Sequence, residues 1–278
     1  MADVVVRGHR VPALCYGTAW KEDRTEALTL LALEAGFRAI DTANQRKHYV
    51  EAGVGAAIAR AGIPRDQLFL QTKFTHREGQ DHRLPYDPRA PIATQVEQSF
   101  ASSLEHLGTT YLDSYVMHGP STNVGLAPQD VEAWRAMETL HDRGVVRLLG
   151  VSNVSLEQLH RLTGLARVQP AFVQNRCYAS RGWDADVRAF CRAHDITYQG
   201  FSLLTANRRE LVRPAIDEIM MRTGMTREQV VFRFALSAGM MPLTGTSNRE
   251  HMAEDLAAAH LVLDDKDLRT VETIGTSR

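Results

Sequence analysis

Three residues that can hold or move protons, Asp41, Lys73 and His118, each lie at the end of a short apolar run. An aspartate beside a lysine holds the ammonium group in place, and a lysine near a phenol lowers the phenol pKa from about 10. A histidine can orient and polarise a carbonyl oxygen through a hydrogen bond. The missing phenol is Tyr49, in the loop that follows Asp41. The set predicts proton donation to a polarised oxygen.

The runs that carry these residues are short and apolar, as buried parallel strands are. About eight such runs alternate with amphipathic helical stretches, and no Pro- or Ser-rich linker divides the chain. Strict alternation favours a single-domain (β/α)8 TIM barrel over residues 1–278. The predicted strands are 13–17, 39–43, 68–74, 112–118, 147–152, 171–176, 197–202 and 241–246.

Helical patterns fill the segments between the strands. Glycines that can end a helix follow some of them, for example Gly36 and Gly108. Two extra helices, at 226–239 and 264–274, are predicted near the C-terminus. The other predicted helices are 22–34, 92–107, 129–143, 156–165, 184–195 and 248–260.

The alternative fold is a doubly wound sheet, which binds dinucleotides with a glycine-rich turn after its first strand. Residues 14–20 contain a single glycine, Gly17, so that fingerprint is missing. In the favoured barrel, functional groups lie at the carboxyl ends of the strands. The polar residues expected to meet there are Asp41, Lys73, His118, Ser152, Asn153, Gln174, Asn175, Ser202 and those at 244–248.

Composition argues against two classes of partner. A formal net charge of -1 over 278 residues gives no basic stripe for nucleic acid or for an anionic membrane surface. The sequence has neither the pattern of a secretory signal nor a run of about 18 apolar residues that could span a membrane. Three widely spaced cysteines fit a reducing compartment. We expect a cytoplasmic protein, with a monomer favoured.

Five segments form a specific combination when they are taken together. They are Gly-Phe-Arg-Ala-Ile-Asp-Thr-Ala at 36–43, Thr-Lys at 72–73, Leu-Asp-Ser-Tyr-Val-Met-His at 112–118, Gly-Val-Ser-Asn at 150–153, and Gln174. In this combination the chain resembles the aldo-keto reductase family from residue 11 to about residue 261. The resemblance implies the same barrel fold.

The family's catalytic tetrad of Asp, Tyr, Lys and His corresponds to Asp41, Tyr49, Lys73 and His118. The resemblance implies hydride transfer from a nicotinamide to an aldehyde or ketone, with Tyr49 as the general acid. The family commonly has its tyrosine five residues after the aspartate, where this chain has Arg46. Because the loop is two residues longer here, we expect it to carry Tyr49 to the same place.

The resemblance also implies a nicotinamide nucleotide along the barrel mouth. Ser152, Asn153 and Gln174 correspond to the family's contacts with the carboxamide, and Phe201 stands where the family usually has a stacking tyrosine. The implied cofactor-binding residues are Gly17, Thr18, Asp41, Ser152, Asn153, Gln174, Phe201, Ser202, Leu203, Gly245, Thr246, Ser247, Asn248, Arg249 and Asp255.

The choice of nucleotide depends on the segment after the last strand. Family members that bind NADPH often have Lys and Arg there, at positions that correspond to Gly245 and His251. Arg249, in the first turn of the following helix, could still hold a 2′-phosphate together with residues 246–248. We expect NADPH on the family's habit, with NADH as the alternative.

Other functions remain open on the sequence alone. The substrate is expected to be a small carbonyl compound, in a pocket formed by Trp20, Tyr49 and His118. His76, Asp81 and His82 lack a recognised metal-ligand spacing, so no metal is predicted. A non-catalytic, nucleotide-sensing regulatory subunit is the alternative function, and a lyase or isomerase would need phosphate or metal groups that the sequence does not offer.

Overall fold

The computed structural model describes residues 3–276, which form a nearly closed barrel of eight parallel strands surrounded by helices. The strands are β1 (Asp3–Val6), β2 (His9–Pro12), β3 (Cys15–Gly17), β4 (Ala39–Asp41), β5 (Phe69–Phe74), β6 (Leu112–Met117), β7 (Val146–Ser152), β8 (Phe172–Arg176), β9 (Thr197–Phe201) and β10 (Leu243–Thr244). β3 to β10 make the barrel in the order β10-β3-β4-β5-β6-β7-β8-β9. Across the remaining gap, the Met241 N–H donates to the Tyr198 carbonyl at 2.9 Å. The predicted barrel is confirmed.

Helices cover the outside of the barrel. They are α1 (Thr25–Ala35), α2 (Glu51–Ala61), α3 (Ile92–Leu107), α4 (Pro128–Asp142), α5 (Leu156–Leu165), α6 (Ala185–Ala193), α7 (Arg208–Leu211), α8 (Pro214–Thr223), α9 (Arg227–Ser237), α10 (Arg249–Ala257) and α11 (Asp265–Thr273). α9 and α11 are the two extra helices predicted near the C-terminus, whereas α2, α7 and α8 were absent from the prediction. Within residues 3–276, no helix has the length and apolar character needed to cross a bilayer.

The N-terminal hairpin, which the sequence analysis did not predict, closes the amino end of the barrel. β1 and β2 pair antiparallel across a turn at Arg7 and Gly8, which both have positive φ. Such a turn matches the right-handed twist of the two strands. Val6 and Val11 are buried in one apolar cluster with the first residues of several barrel strands, such as Cys15. The carboxyl end of the barrel is therefore the open one.

The strand register brings the proton-handling residues together at that open end. Asp41 pairs in register with Gly17 on one side and Gln71 on the other, so it lies at the last rung shared by β3, β4 and β5. Lys73 follows two residues further along β5, beside Val116 of β6. Side chains two residues apart on a strand share a face, so Gln71 and Lys73 both point into the barrel interior.

Candidate active site

The loop between β4 and α2 is fixed at both of its sides. The Gln45 carbonyl accepts hydrogen bonds from the N–H groups of His48 and Tyr49 at 3.2 and 3.1 Å. The Gln45 amide donates to the Gly79 carbonyl at 2.7 Å, and the Trp20 N–H donates to the His48 carbonyl at 2.8 Å. These contacts tie the loop to its neighbours after β5 and β3. Tyr49 is thereby brought to the barrel mouth.

Beneath Tyr49 lies a buried ion pair. The fully buried Lys73 ammonium donates to both oxygens of Asp41, at 2.6 and 2.7 Å, and to the Thr42 carbonyl at 2.7 Å. Asp41 Oδ1 also accepts from the side-chain amides of Gln71 and Gln174, at 2.7 and 3.0 Å. A buried ion pair needs additional hydrogen bonds to offset the cost of removing both charges from water. The pair thus forms a rigid, charged floor to the mouth.

The side-chain amides of Gln71 and Gln174 belong to a buried layer of hydrogen-bonded glutamines that the sequence analysis missed. Gln199 Oε1 accepts from the amide nitrogens of Gln71 and Gln174 at 2.8 and 2.9 Å, and Gln199 donates back to Gln71 at 3.1 Å. The available signal was a glutamine at an inward-facing position of an apolar run. Gln174 also lines the cavity, while its amide nitrogen is engaged inside the barrel.

Tyr49 lies between the ion pair and the imidazole. Its ring centroid is 5.4 Å from Lys73 Nζ and 5.9 Å from the His118 ring centroid, with the two rings at 70°. Burial raises the pKa of Tyr49 above its ordinary value, and the Asp41 carboxylate raises it further. The expected lowering by lysine is wrong for this arrangement, because the Lys73 charge is held by Asp41. The phenol stays protonated at neutral pH.

His118 is a neutral imidazole. Burial lowers its pKa to about 3, and the positive charge of Lys73 contributes in the same direction. Its Nδ1 lies 2.7 Å from the Thr75 hydroxyl, while within residues 3–276 its other ring nitrogen, Nε2, has no hydrogen-bond partner. A neutral imidazole has one N–H, so a hydroxyl that donates to Nδ1 leaves the proton on Nε2. Thr75, another residue that the sequence analysis missed, therefore bears on what His118 can donate.

A cavity of about 840 Å³ opens above these residues. Of the predicted site residues it is lined by Gly17, Trp20, Asp41, Tyr49, His118, Ser152, Asn153, Gln174, Phe201, Ser202, Leu203, Gly245, Thr246 and Asp255. Lys73 lies below the surface of the cavity. Outside the lining lie Thr18, Ser247, Asn248 and Arg249. The Arg249 guanidinium is 3.7 Å from the Glu34 carboxylate of α1, so it faces a neighbouring helix.

Several lining residues have contacts that could hold a flat ring and an anion. The Asn153 amide donates to the His118 carbonyl at 2.8 Å, and the Arg176 guanidinium lies 5.7 Å from the Phe201 ring centroid. Lys21, next to Trp20 in sequence, reaches across to donate to the Gly245 carbonyl. Arg176 and Lys21 were missed by the sequence analysis, although a cation beside a predicted pocket residue was a usable signal. Together these groups offer an aromatic face and two cations.

The rim of the cavity carries an aromatic pair. Trp20 is 67% exposed, and its ring is 3.6 Å from the His48 ring, centroid to centroid, at an angle of 33°. An exposed tryptophan lacks the favourable free energy of burial, and stacking on one ring replaces only part of it. Trp20 and His48 both line the cavity, so the pair forms part of its wall.

At the opposite end, α10 contributes a buried carboxyl group. Asp255 Oδ2 accepts from the Thr244 hydroxyl at 2.7 Å, whereas Oδ1 is buried without a partner in the described part of the chain. Burial raises the pKa of Asp255 to about 7. An unpaired buried oxygen at a cavity wall is ready to accept a hydrogen bond from a ligand.

Comparison with known proteins shows the family to which the chain belongs. A profile of the Aldo/keto reductase family matches residues 13–276. An aldo-keto reductase of Mycobacterium avium is 32% identical over 95% of this chain and 86% of its own length, and one of Mycobacterium tuberculosis is 31% identical over 91% and 86%. The crystal structure of an aldo/keto reductase from Brucella melitensis superposes with a TM-score of 0.84 at 27% identity, covering 98% of this chain and 99% of that one. The chain belongs to the aldo/keto reductase family, whose members are oxidoreductases of carbonyl compounds.

Proposed function

We propose that the protein reduces an aldehyde or ketone to an alcohol with a reduced nicotinamide nucleotide. The observation that carries the proposal is the position of Tyr49, 5.4 Å from the Lys73 ammonium and 5.9 Å from the His118 ring at the floor of one cavity. General acid catalysis needs a protonated donor within reach of the reacting oxygen. Tyr49 is that donor in this account.

The cavity fits a nicotinamide nucleotide. Its volume of about 840 Å³ is within the usual range of ligand sites. The Phe201 ring would support the nicotinamide, and the Gln174 and Asn153 side chains would hold its carboxamide. Lys21 and Arg176 would balance the diphosphate. When bound, the nucleotide supplies a hydride to the carbonyl carbon.

The residues of the chain supply the proton and the orientation. The Tyr49 hydroxyl donates its proton to the carbonyl oxygen as that oxygen gains negative charge. His118, as a neutral imidazole, donates a hydrogen bond from Nε2 to the same oxygen. The ion pair with Asp41 holds the Lys73 ammonium 5.4 Å from the Tyr49 ring centroid, beneath the phenol that gives up the proton.

The substrate is a small carbonyl compound that enters past the Trp20 rim. We further propose a cytoplasmic location. It is supported by the three cysteines, Cys15, Cys177 and Cys191, which are all free and buried.

The test is nucleotide binding followed by turnover. Purified protein is titrated with NADH and with NADPH, and oxidation of each is then followed with a panel of aldehydes and ketones. The proposal expects saturable binding of at least one nucleotide and carbonyl-dependent oxidation. Absence of binding by both would sink it. Binding without turnover on any carbonyl would favour the nucleotide-sensing regulatory subunit instead.

A further inference from the structure

The cavity continues away from Tyr49 to an end built by two helices. Glu228 lies in the first turn of α9, Phe232 one turn further on, and Asp255 near the end of α10, and all three line the cavity. If the proposed function holds, the nicotinamide lies at Tyr49 and the adenosine half of the nucleotide reaches this end. The inference below rests on that function.

Both carboxyl groups at this end have hydrogen-bonding capacity to spare. Asp255 Oδ1 is buried without a partner. Glu228 is partly buried, and its carboxylate has neither an ion pair nor a hydrogen bond with any residue between 3 and 276. After burial, the negative charges of Glu228 and Glu254 contribute to the raised pKa of Asp255.

The nearby cations are directed elsewhere. Arg227 donates to the Asp217 carboxylate at 2.9 Å. The Arg249 guanidinium lies 3.7 Å from the Glu34 carboxylate, on the α1 side. Of the described residues that line the cavity, only Lys21 and Arg176 carry a full positive charge. Lys21 binds the Gly245 carbonyl, and Arg176 packs against Phe201. The third arginine of the two helices, Arg233, donates to the Ser237 hydroxyl and the Ala259 carbonyl. All three arginines of α9 and α10 are therefore engaged away from Glu228.

The α10 N-terminus offers little compensation. Asn248 caps the helix itself, since its side-chain oxygen accepts from the N–H groups of Glu250 and His251. Those N–H groups would otherwise be the natural anion donors of the helix start. His251 lines the cavity but is exposed, so it supplies at most an imidazole in water.

We propose that this end of the cavity selects NADH over NADPH, with Glu228 as the residue that sets the choice. Its carboxylate accepts a hydrogen bond from a ribose hydroxyl, the arrangement by which acidic residues recognise an unphosphorylated ribose in other dinucleotide sites. A 2′-phosphate brings a charge of about -1.5 to -2 close to the Glu228 carboxylate, and no arginine between residues 3 and 276 that lines this end of the cavity balances that charge. The proposal replaces the expectation of NADPH that came from the family's habit.

The test is calorimetric titration of the full-length protein with NAD⁺ and NADP⁺ in the absence of a carbonyl substrate. The wild type is expected to bind NAD⁺ at least about tenfold more tightly than NADP⁺. Glu228→Gln, which keeps the shape and removes the charge, is expected to bring the two affinities within about threefold of each other. Glu250→Gln is the matched control, because Glu250 is an exposed acid in the first turn of α10 outside the cavity lining.

Other results of the titrations would overturn the selection of NADH or the role of Glu228. Equal or tighter binding of NADP⁺ to the wild type overturns the selection, while the proposed reductase function stands. A full tenfold preference retained by Glu228→Gln, or lost equally in Glu250→Gln, overturns the role of Glu228. Binding of neither nucleotide contradicts the proposed function and the selection together. Thermal melting of each variant shows that the proteins compared are folded.

Discussion

Tyr49 and His118 acquire their protonation states mainly from desolvation, and the charge of Lys73 contributes at His118. The partly buried phenol has a raised pKa and the partly buried imidazole a pKa of about 3, so one is a neutral acid and the other a neutral hydrogen-bond donor at pH 7. Residue type and order predicted which side chains would take part. The environment that sets their pKa values depends on long-range packing, which one sequence does not reveal.

Thr75 gives a test of the imidazole tautomer. Thr75→Val removes the hydroxyl that lies 2.7 Å from His118 Nδ1. We expect kcat to fall about tenfold with nucleotide affinity unchanged, because the proton is then shared between the two ring nitrogens. Thr75→Ser keeps the hydroxyl and should retain most of the activity. Steady-state kinetics with both variants checks this; equal losses in the two would point to a packing role only.

Asp255 gives a test by stability against pH. Its pKa is about 7 in the folded protein, against 3.8 for an ordinary aspartate. The native state therefore keeps the proton where the unfolded chain has lost it, and stability declines as pH rises from about 4 to 7. Asp255→Asn should be more stable than the wild type at pH 8 by about 1–3 kcal/mol, and no more stable at pH 4. Urea unfolding at the two pH values measures the difference; a pH-independent effect would contradict the buried, protonated carboxyl.

At the level of elements, the apolar runs were a reliable guide to the strands. All eight predicted barrel strands are present, each within a few residues of its predicted bounds. α2 was overlooked because it is rich in Ala and Gly. α7 is a single turn of four residues, and α8 begins three residues after it ends. The hairpin had a usable signal in Arg7-Gly8 between alternating residues. The site loop at 42–50 could be placed only through the family resemblance.

The crossing of α2 and α3 provides a test at this scale. A Cβ at Gly55 would lie 2.0 Å from the His106 carbonyl oxygen, whereas a Cβ at Gly164, in α5, would meet nothing within 4 Å. Gly55→Ala should therefore destabilise the protein by about 3 kcal/mol or more, since backbone must move. Gly164→Ala should stabilise it by about 0.5–1 kcal/mol through helix propensity. Chemical denaturation of both variants checks the pair, and a neutral Gly55→Ala would mean that the two helices are less tightly packed.

For the whole molecule, the two ends of the barrel have separate tasks. The amino end is closed by the hairpin through Val6 and Val11, and the carboxyl end holds the cavity with its polar floor. Fold class and the position of the mouth could be predicted from the alternation of elements. The glutamine layer and the acidic end at Glu228 could not, because each joins residues that are far apart in sequence.

The central claim is that Tyr49 is the proton donor of a carbonyl reduction, and the most direct measurement is the turnover of Tyr49→Phe. We expect carbonyl-dependent nucleotide oxidation to fall by at least about 100-fold while calorimetry shows unchanged nucleotide binding. The control is Tyr111→Phe, a phenol that packs under Arg65 and Arg147 away from the cavity, which should retain full activity. Full activity in Tyr49→Phe, with the control also active, would contradict the account.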